Sequence, residues 1–314
     1  MGSYLLNRLG ASVLTALLSS LVVFLLVRAV PGDIVGQMLG QAGTEAAAEA
    51  LRAFFGLDRP IYEQYLVWLG NVLQGDLGTS WTRGRPVVGV VLNAFSVTLQ
   101  IGLMTLVFAT LLGVPLGMIA GIHEGRPVDS VIQGFNLLGL AAPVFWVGLM
   151  LLVVAAALFN WSPPLVFRSP RQDLADNLEI LILPILSLGM LQAAAYSHFT
   201  RQCVVSAFNQ DYVRTALAKG LPTRLIFFKH ILRNILIPLV TFMGLILIQI
   251  LGGVVIIESL FSLPGLGRLL ITAIEQRDYP IVQGALLLVV VMALLINFVI
   301  DMLYQFIDPR VRVS

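Results

Sequence analysis

Apolar runs long enough to cross a bilayer recur along this chain, and few folds can accommodate them. A hydrocarbon core about 30 Å thick takes roughly 20 mostly apolar residues in helical form. Six stretches meet that length: about Leu9–Val27, one within Ala94–Ile122, one within Val131–Phe159, Ile180–Ser197, Asn234–Ile257 and Tyr279–Ile300. The fourth is the shortest. None shows the period-two alternation of a membrane barrel, so helices follow rather than strands. Of the 314 residues, 58% are hydrophobic and 11% charged, whereas a soluble domain carries about 25% charge. Lipid must therefore be the solvent for much of the chain. The expected fold class is an all-α polytopic membrane protein with six transmembrane helices. Arg8 precedes the first run as in a secretory signal, but the run exceeds the usual signal core of about 7–15 residues. Pro31-Gly32-Asp33 follows instead of a small-residue cleavage site, so the first span is expected to stay uncleaved.

One cysteine, Cys203, leaves no internal disulfide framework and no multi-cysteine metal site. The histidines at 123, 198 and 230 are too scattered for zinc, and no basic patch interleaved with aromatics argues for nucleic acid. Orientation follows from arginine and lysine in short loops. With the N-terminus inside, the inside pieces hold Arg8, Arg126, Arg201, Arg214, Lys219, Arg224, Lys229, Arg233, Arg310 and Arg312. The two short outside loops hold only Arg168, Arg171, Arg268 and Arg277. Both termini are therefore expected in the cytoplasm. The chain then divides into 1–30 (N-terminus and first span), 31–93 (a helical segment outside) and 94–314 (five helices with an inside loop, 201–233).

Within 31–93, Thr44 can cap a helix of strong formers from Glu45 to Arg52. Tyr62, Tyr65 and Trp68 share one helical face suited to the membrane interface. A small helical cap on the outer leaflet is the plain reading, and a docking surface for an external partner is compatible with it. In the second span Gly113, Gly117 and Gly121 recur every four residues around Pro115, a spacing that lets helix backbones approach closely.

The inside loop is more structured than topology requires. Asp211 can cap a helix over Tyr212–Lys219, Gly220 stands where a left-handed cap belongs, and Pro222 stops continuation. Thr223 can cap a second helix carrying Arg224, Lys229, His230 and Arg233. Such a loop either fixes topology by its charge alone or receives force from a cytoplasmic partner.

The run Asp211-Tyr-Val-Arg-Thr-Ala-Leu-Ala-Lys-Gly220-Leu, with His230-Ile-Leu-Arg-Asn234 and Ile237-Pro238, resembles the cytoplasmic loop of peptide-type importer permeases, the dipeptide, oligopeptide and nickel group of ATP-binding-cassette transporters. Matches continue along nearly the whole chain: Pro31-Gly-Asp33, Gly56-Leu-Asp-Arg-Pro60, Gln64-Tyr65, Trp68, Gly75-Asp-Leu-Gly78 and Ser80. Pro115-Leu-Gly117, Phe261-Ser-Leu-Pro-Gly-Leu-Gly267, Arg277-Asp-Tyr-Pro280 and Asp308-Pro-Arg310 with Arg312 complete them. The resemblance implies a multi-pass permease of the inner (plasma) membrane. It works with a second homologous permease subunit, two cytoplasmic ATPase subunits and an extracytoplasmic substrate-binding protein. It also implies that Asp211, Tyr212, Arg214, Thr215, Ala216, Ala218, Lys219 and Gly220 form the coupling helix. Arg214 and Lys219 would supply charge there, Ala216 and Ala218 close packing, and Arg233 and Asn234 an anchor to the next span. Two departures from the wider superfamily pattern fit the peptide-type group: Arg214 and Thr215 fill the first two places, and Gly220 lies further from Pro238. In the third span Ala141-Ala-Pro-Val-Phe145 stands where the group often has serine before the proline.

Neither Lys219 nor Lys229 ends a glycine-rich phosphate loop, so no cofactor is expected on this chain, and ATP and magnesium belong to partner subunits. An intramembrane enzyme lacks its motifs here; Cys203 beside Arg201 reads as structural and His198 as a boundary residue. A secondary transporter would place ionisable groups within the membrane. Arg28, Glu258 and Asp301 lie near span ends instead, where snorkelling accounts for them. Di- or oligopeptides are the favoured cargo, with nickel chelates, glutathione, opines and sugars as alternatives. Gln100, Gln133, Asn136, Gln192, Gln249 and Asn297 are the neutral polar residues that can line a path.

Overall fold

Every backbone polar group in lipid must be satisfied within its own segment, and the long elements are accordingly α-helices. The structure, a computed structural model, describes residues 2–29, 34–39, 44–164 and 166–307. Pro31–Asp33, Asp308, Arg310 and Arg312 lie outside them. In chain order the helices are α1 (Gly2–Ala29), α2 (Ile34–Leu39), α3 (Glu45–Phe54), α4 (Ile61–Leu73), α5 (Val87–Ile122), α6 (Pro127–Ala141) and α7 (Val144–Phe159). They continue with α8 (Leu174–Phe208), α9 (Asp211–Ala218), α10 (Thr223–Ile226), a π-helical turn (Phe227–Ile231), α11 (Leu232–Leu260), α12 (Leu266–Glu275) and α13 (Tyr279–Ile307).

Among the described residues, five helices are long and apolar enough to cross a membrane, and α6 with α7 makes a sixth only as a pair bent by 104°. The expected third span is thus not one straight helix. Pro143 is the cause. It forces Ala142 to extended backbone (φ −77°, ψ 127°) and starts α7 afresh. The expected fourth span is not short either, because α8 runs for 35 residues through Pro184 and onward past Ser197. Its polar final turns, from His198 to Phe208, hid that length from a search for apolar runs.

The chain forms two compact units, residues 1–95 with 269–294 and residues 96–268 with 295–314. In the first, Thr44 caps α3 as expected, accepting from the Ala47 amide. Gly56 ends that helix at φ +65°. Gln64 Nε2 donates to the Arg59 carbonyl at 2.7 Å and so fastens the α3–α4 turn. The expected aromatic face of α4 splits. Tyr65 and Trp68 pack on the buried ring of Phe24 in α1, and the Tyr65 and Ser20 hydroxyls meet at 3.0 Å. Tyr62 remains exposed. Asp278 is fully buried and accepts from the Ser80 hydroxyl, the Trp81 amide, and the amide and hydroxyl of Thr82. The turn Ser80–Thr82 is therefore held to the segment Arg277–Pro280 through Asp278.

In the second unit α8 is the central helix, packed against α6, α7 and α11. The three glycines of α5 lie on it: a Cβ at Gly113, Gly117 or Gly121 would come within 3.0 Å of Tyr196, Thr200 or Val204 respectively. Close backbone approach is what that spacing predicts. Glu258 is fully buried rather than snorkelling. Its carboxylate accepts from the Thr98 hydroxyl and from the Arg268 amide at 3.0 Å, and a side chain at Gly265 would collide with it. The 261–267 segment therefore wraps tightly around one carboxylate.

Candidate functional site

The segment between α8 and α11 is built by helix signals at both ends. Gln210, not Asp211, is the N-cap of α9 and makes no side-chain capping bond; Asp211 is instead the first helical residue. A carboxylate in the first turn still complements the helix dipole. At the other end the Gly220 amide donates to the Leu217 carbonyl and the Leu221 amide to the Ala216 carbonyl, with Gly220 at φ +75°. This is the Schellman pattern, and it satisfies carbonyls that the helix end would otherwise leave open. Pro222 follows. Its carbonyl accepts from the amides of Leu225 and Ile226, and chain direction reverses there into α10. The side chain of Thr223 lies outside the described residues. The expected second loop helix is not separate, since α10 passes through the π turn straight into α11.

Only two side chains of α9 turn inward. Val213 and Ala216 are buried in the core of the second unit with Ile226, Phe227 and Ile231. Ala216 is therefore a packing residue of this chain, not part of its outer face. Asp211, Tyr212, Arg214, Thr215, Ala218, Lys219 and Gly220 are exposed. So are Arg224, Lys229 and Arg233, which gives the segment a cationic outer surface with Asp211 as its carboxylate. Asp211 and Arg214 lie 3.8 Å apart, an exposed pair that contributes little. Tyr212 and Asn234 line a shared cavity of about 450 Å³ with Gln202, Cys203, Gln210 and Pro238. The structure thus brings Asn234 to the foot of α9, while Arg233 is exposed.

The expected path residues scatter. Gln100 donates to the Asn177 side chain, itself fully buried and bonded to the Arg168 carbonyl at 2.7 Å. Asn136 is buried and reaches Gln133 at 3.3 Å, and Gln133 in turn meets His198, which contacts Gln202 at 2.9 Å. Gln192 is buried, whereas Gln249 and Asn297 are exposed. Residue counting missed a second feature of α8. Arg201 is not a free loop charge but a bidentate partner of buried Asp129 on α6, at 2.6 and 2.7 Å. The two residues are 72 positions apart, so the charge of Arg201 does not name its partner in the sequence.

Among the described residues the chain is helical with five or six candidate spans, the pattern of a polytopic membrane component. Residues 113–313 match the family described as binding-protein-dependent transport system inner membrane component, and residues 1–102 match the N-terminal part of such components. The chain belongs to this family and is a multi-pass permease subunit of an ATP-binding-cassette importer, a transport component rather than an enzyme. The dipeptide transport system permease protein DppB of Escherichia coli K12 is 36% identical to it over 98% of each chain. The di/tripeptide permease protein DppB of Pseudomonas aeruginosa is 37% identical over 99% of this chain and 98% of its own. The glutathione transport system permease protein GsiC of E. coli K12 is 37% identical over 99% of both. Among solved structures, an inward-facing MetNI methionine transporter chain aligns with a TM-score of 0.51 at 16% identity, over 70% of this chain and 96% of that one. This last likeness concerns the fold alone.

Proposed function

We propose that the chain imports di- or oligopeptides as one of two permease subunits that together enclose the path. It has six spans, counting α6–α7 as one, and both termini in the cytoplasm. ATP and magnesium act in two partner ATPase subunits, and an extracytoplasmic binding protein delivers the cargo. The peptide assignment draws on relatives named for dipeptides, di/tripeptides and glutathione, itself a small peptide, at 36–37% identity over nearly full length.

The observation that carries the coupling role is α9 itself. It is anchored by Val213 and Ala216 and capped at Gly220, and it leaves Tyr212, Arg214, Thr215, Ala218 and Lys219 outward. A helix fixed on one face and open on the other transmits a push without deforming. Domain closure in the ATPases then reaches α8 and α11 through it. Affinity purification of the chain from its native membrane tests this reading. The expected co-purifying proteins are two soluble ATPases and a second six-span permease. The double charge reversal Arg214→Glu with Lys219→Glu should lower ATPase recovery at least severalfold while leaving the second permease bound. Undiminished recovery would assign those charges to topology alone.

A further inference from the structure

A cavity of about 320 Å³ in the first unit is lined by groups that the transport reading does not use. Arg28 stands in the last turn of α1, with its guanidinium 5.3 Å over the Phe24 ring. Its Nε is buried without a hydrogen-bond partner among the described residues. Gln283 of α13 is 4% exposed, and its Nε2 is equally unpartnered. Gln64 spends its amide nitrogen on the Arg59 and Leu57 carbonyls, which leaves a buried and unpartnered Oε1. All three residues line the same cavity. Buried polar atoms without partners are rare and costly, so three on residues lining one cavity call for a shared occupant.

The chemistry of that occupant follows from the atoms. A guanidinium N–H and a carboxamide N–H are donors that suit an anionic oxygen, and guanidinium suits phosphate in particular. The Gln64 oxygen needs a donor on the same molecule. Arg59 adds a second cation to the lining and Asp76 one carboxylate, one oxygen of which accepts from the Gly78 amide at 2.8 Å. Position then selects the source. Arg28 ends a membrane-spanning helix, the depth at which long cationic side chains reach headgroups. Trp68 and Trp81 also line it, rings of the kind that suit a membrane interface, and Phe54 and Val67, 81% and 51% exposed, continue the lining as apolar surface.

We infer that this cavity binds the phosphodiester headgroup of a membrane glycerophospholipid whose headgroup carries a hydrogen-bond donor. The phosphate faces Arg28 and Gln283, the headgroup donor faces Gln64, and an acyl chain leaves over Phe54 and Val67. The inference concerns lipid and is independent of which solute is carried.

Native mass spectrometry of the intact transporter in detergent tests it, with phosphatidylglycerol as the lipid probe and soluble glycerophosphoglycerol as the headgroup alone. The wild-type complex should retain phosphatidylglycerol. The substitutions Arg28→Gln and Gln283→Leu should each weaken retention about tenfold, as expected for losing one hydrogen bond to a charged group. Arg171→Gln, an exposed arginine in the second unit, should leave it unchanged. If one variant fails to assemble, the other carries the comparison. Equal retention by wild type and an assembled variant overturns the site. Binding of the soluble headgroup without retention of the lipid overturns the lipid assignment.

Discussion

Asp278 holds the turn Ser80–Thr82 through both of its carboxylate oxygens. Two hydroxyls and two backbone amides converge on this fully buried carboxylate, so removing it breaks several bonds at once. Asp278→Ala should cost about 2–4 kcal/mol, against about 1–2 kcal/mol for Ser80→Ala, which removes one bond to the carboxylate and one accepted from the Arg83 amide. Thermal unfolding of the detergent-solubilised protein checks the difference, and equal shifts would mean that the turn re-solvates freely. Glu258 works in the same manner on Thr98 and the Arg268 backbone. Short motifs such as Arg277-Asp-Tyr-Pro280 were visible in the sequence, but not their pairing. Ser80 and Asp278 are 198 positions apart, and no periodicity links residues at that distance. Arg201 was misread for the same reason: its charge is evident, its partner Asp129 is not.

Between elements, close contact is decided by absent side chains. A leucine at Gly117 would drive its Cβ into the backbone and Thr200 of α8, whereas Gly134 on α6 has open space around it. Gly117→Leu should therefore cost about 1–3 kcal/mol or more by overpacking, and Gly134→Leu far less. Fluorescence-detected size exclusion after graded heating separates the two. Gly220 poses a different constraint, since nothing crowds it but its φ is +75°. Gly220→Val should cost about 1–2 kcal/mol at the end of α9, and Gly220→Asn less, because asparagine tolerates the left-handed region. Both should insert normally, while transport per ATP hydrolysed should fall in the order Gly, Asn, Val. Normal coupling in the valine variant would remove the corner from the mechanism. The cap at Thr44, the glycine stripe and the Gly220 stop were all legible because each is a local signal. The length of α8 and the joining of α10 to α11 were not, since polar turns of a long helix look like loop when hydropathy alone marks the boundary.

For the whole molecule, apolar length established an all-helical membrane protein, and one proline decides how its spans are counted. Pro143 lay in plain view within the third apolar run, yet hydropathy does not register a break at which both halves stay apolar. The two compact units also ignore chain order, the first joining residues 1–95 to 269–294. Composition carries no trace of such a return. Most of the functional reading rests on one surface, α9, whose sequence announced a capped helix and whose inward pair is seen only once Val213 and Ala216 are placed. The central claim is that solute crosses through this chain only when ATPase subunits drive it. Uptake of radiolabelled dipeptide into proteoliposomes tests that claim most directly, using the purified permease pair with and without ATPases, ATP and binding protein. Uptake should require all three and should persist when ion gradients are collapsed. Gradient-driven uptake by the permease chains alone would contradict the account and make the protein a self-sufficient carrier.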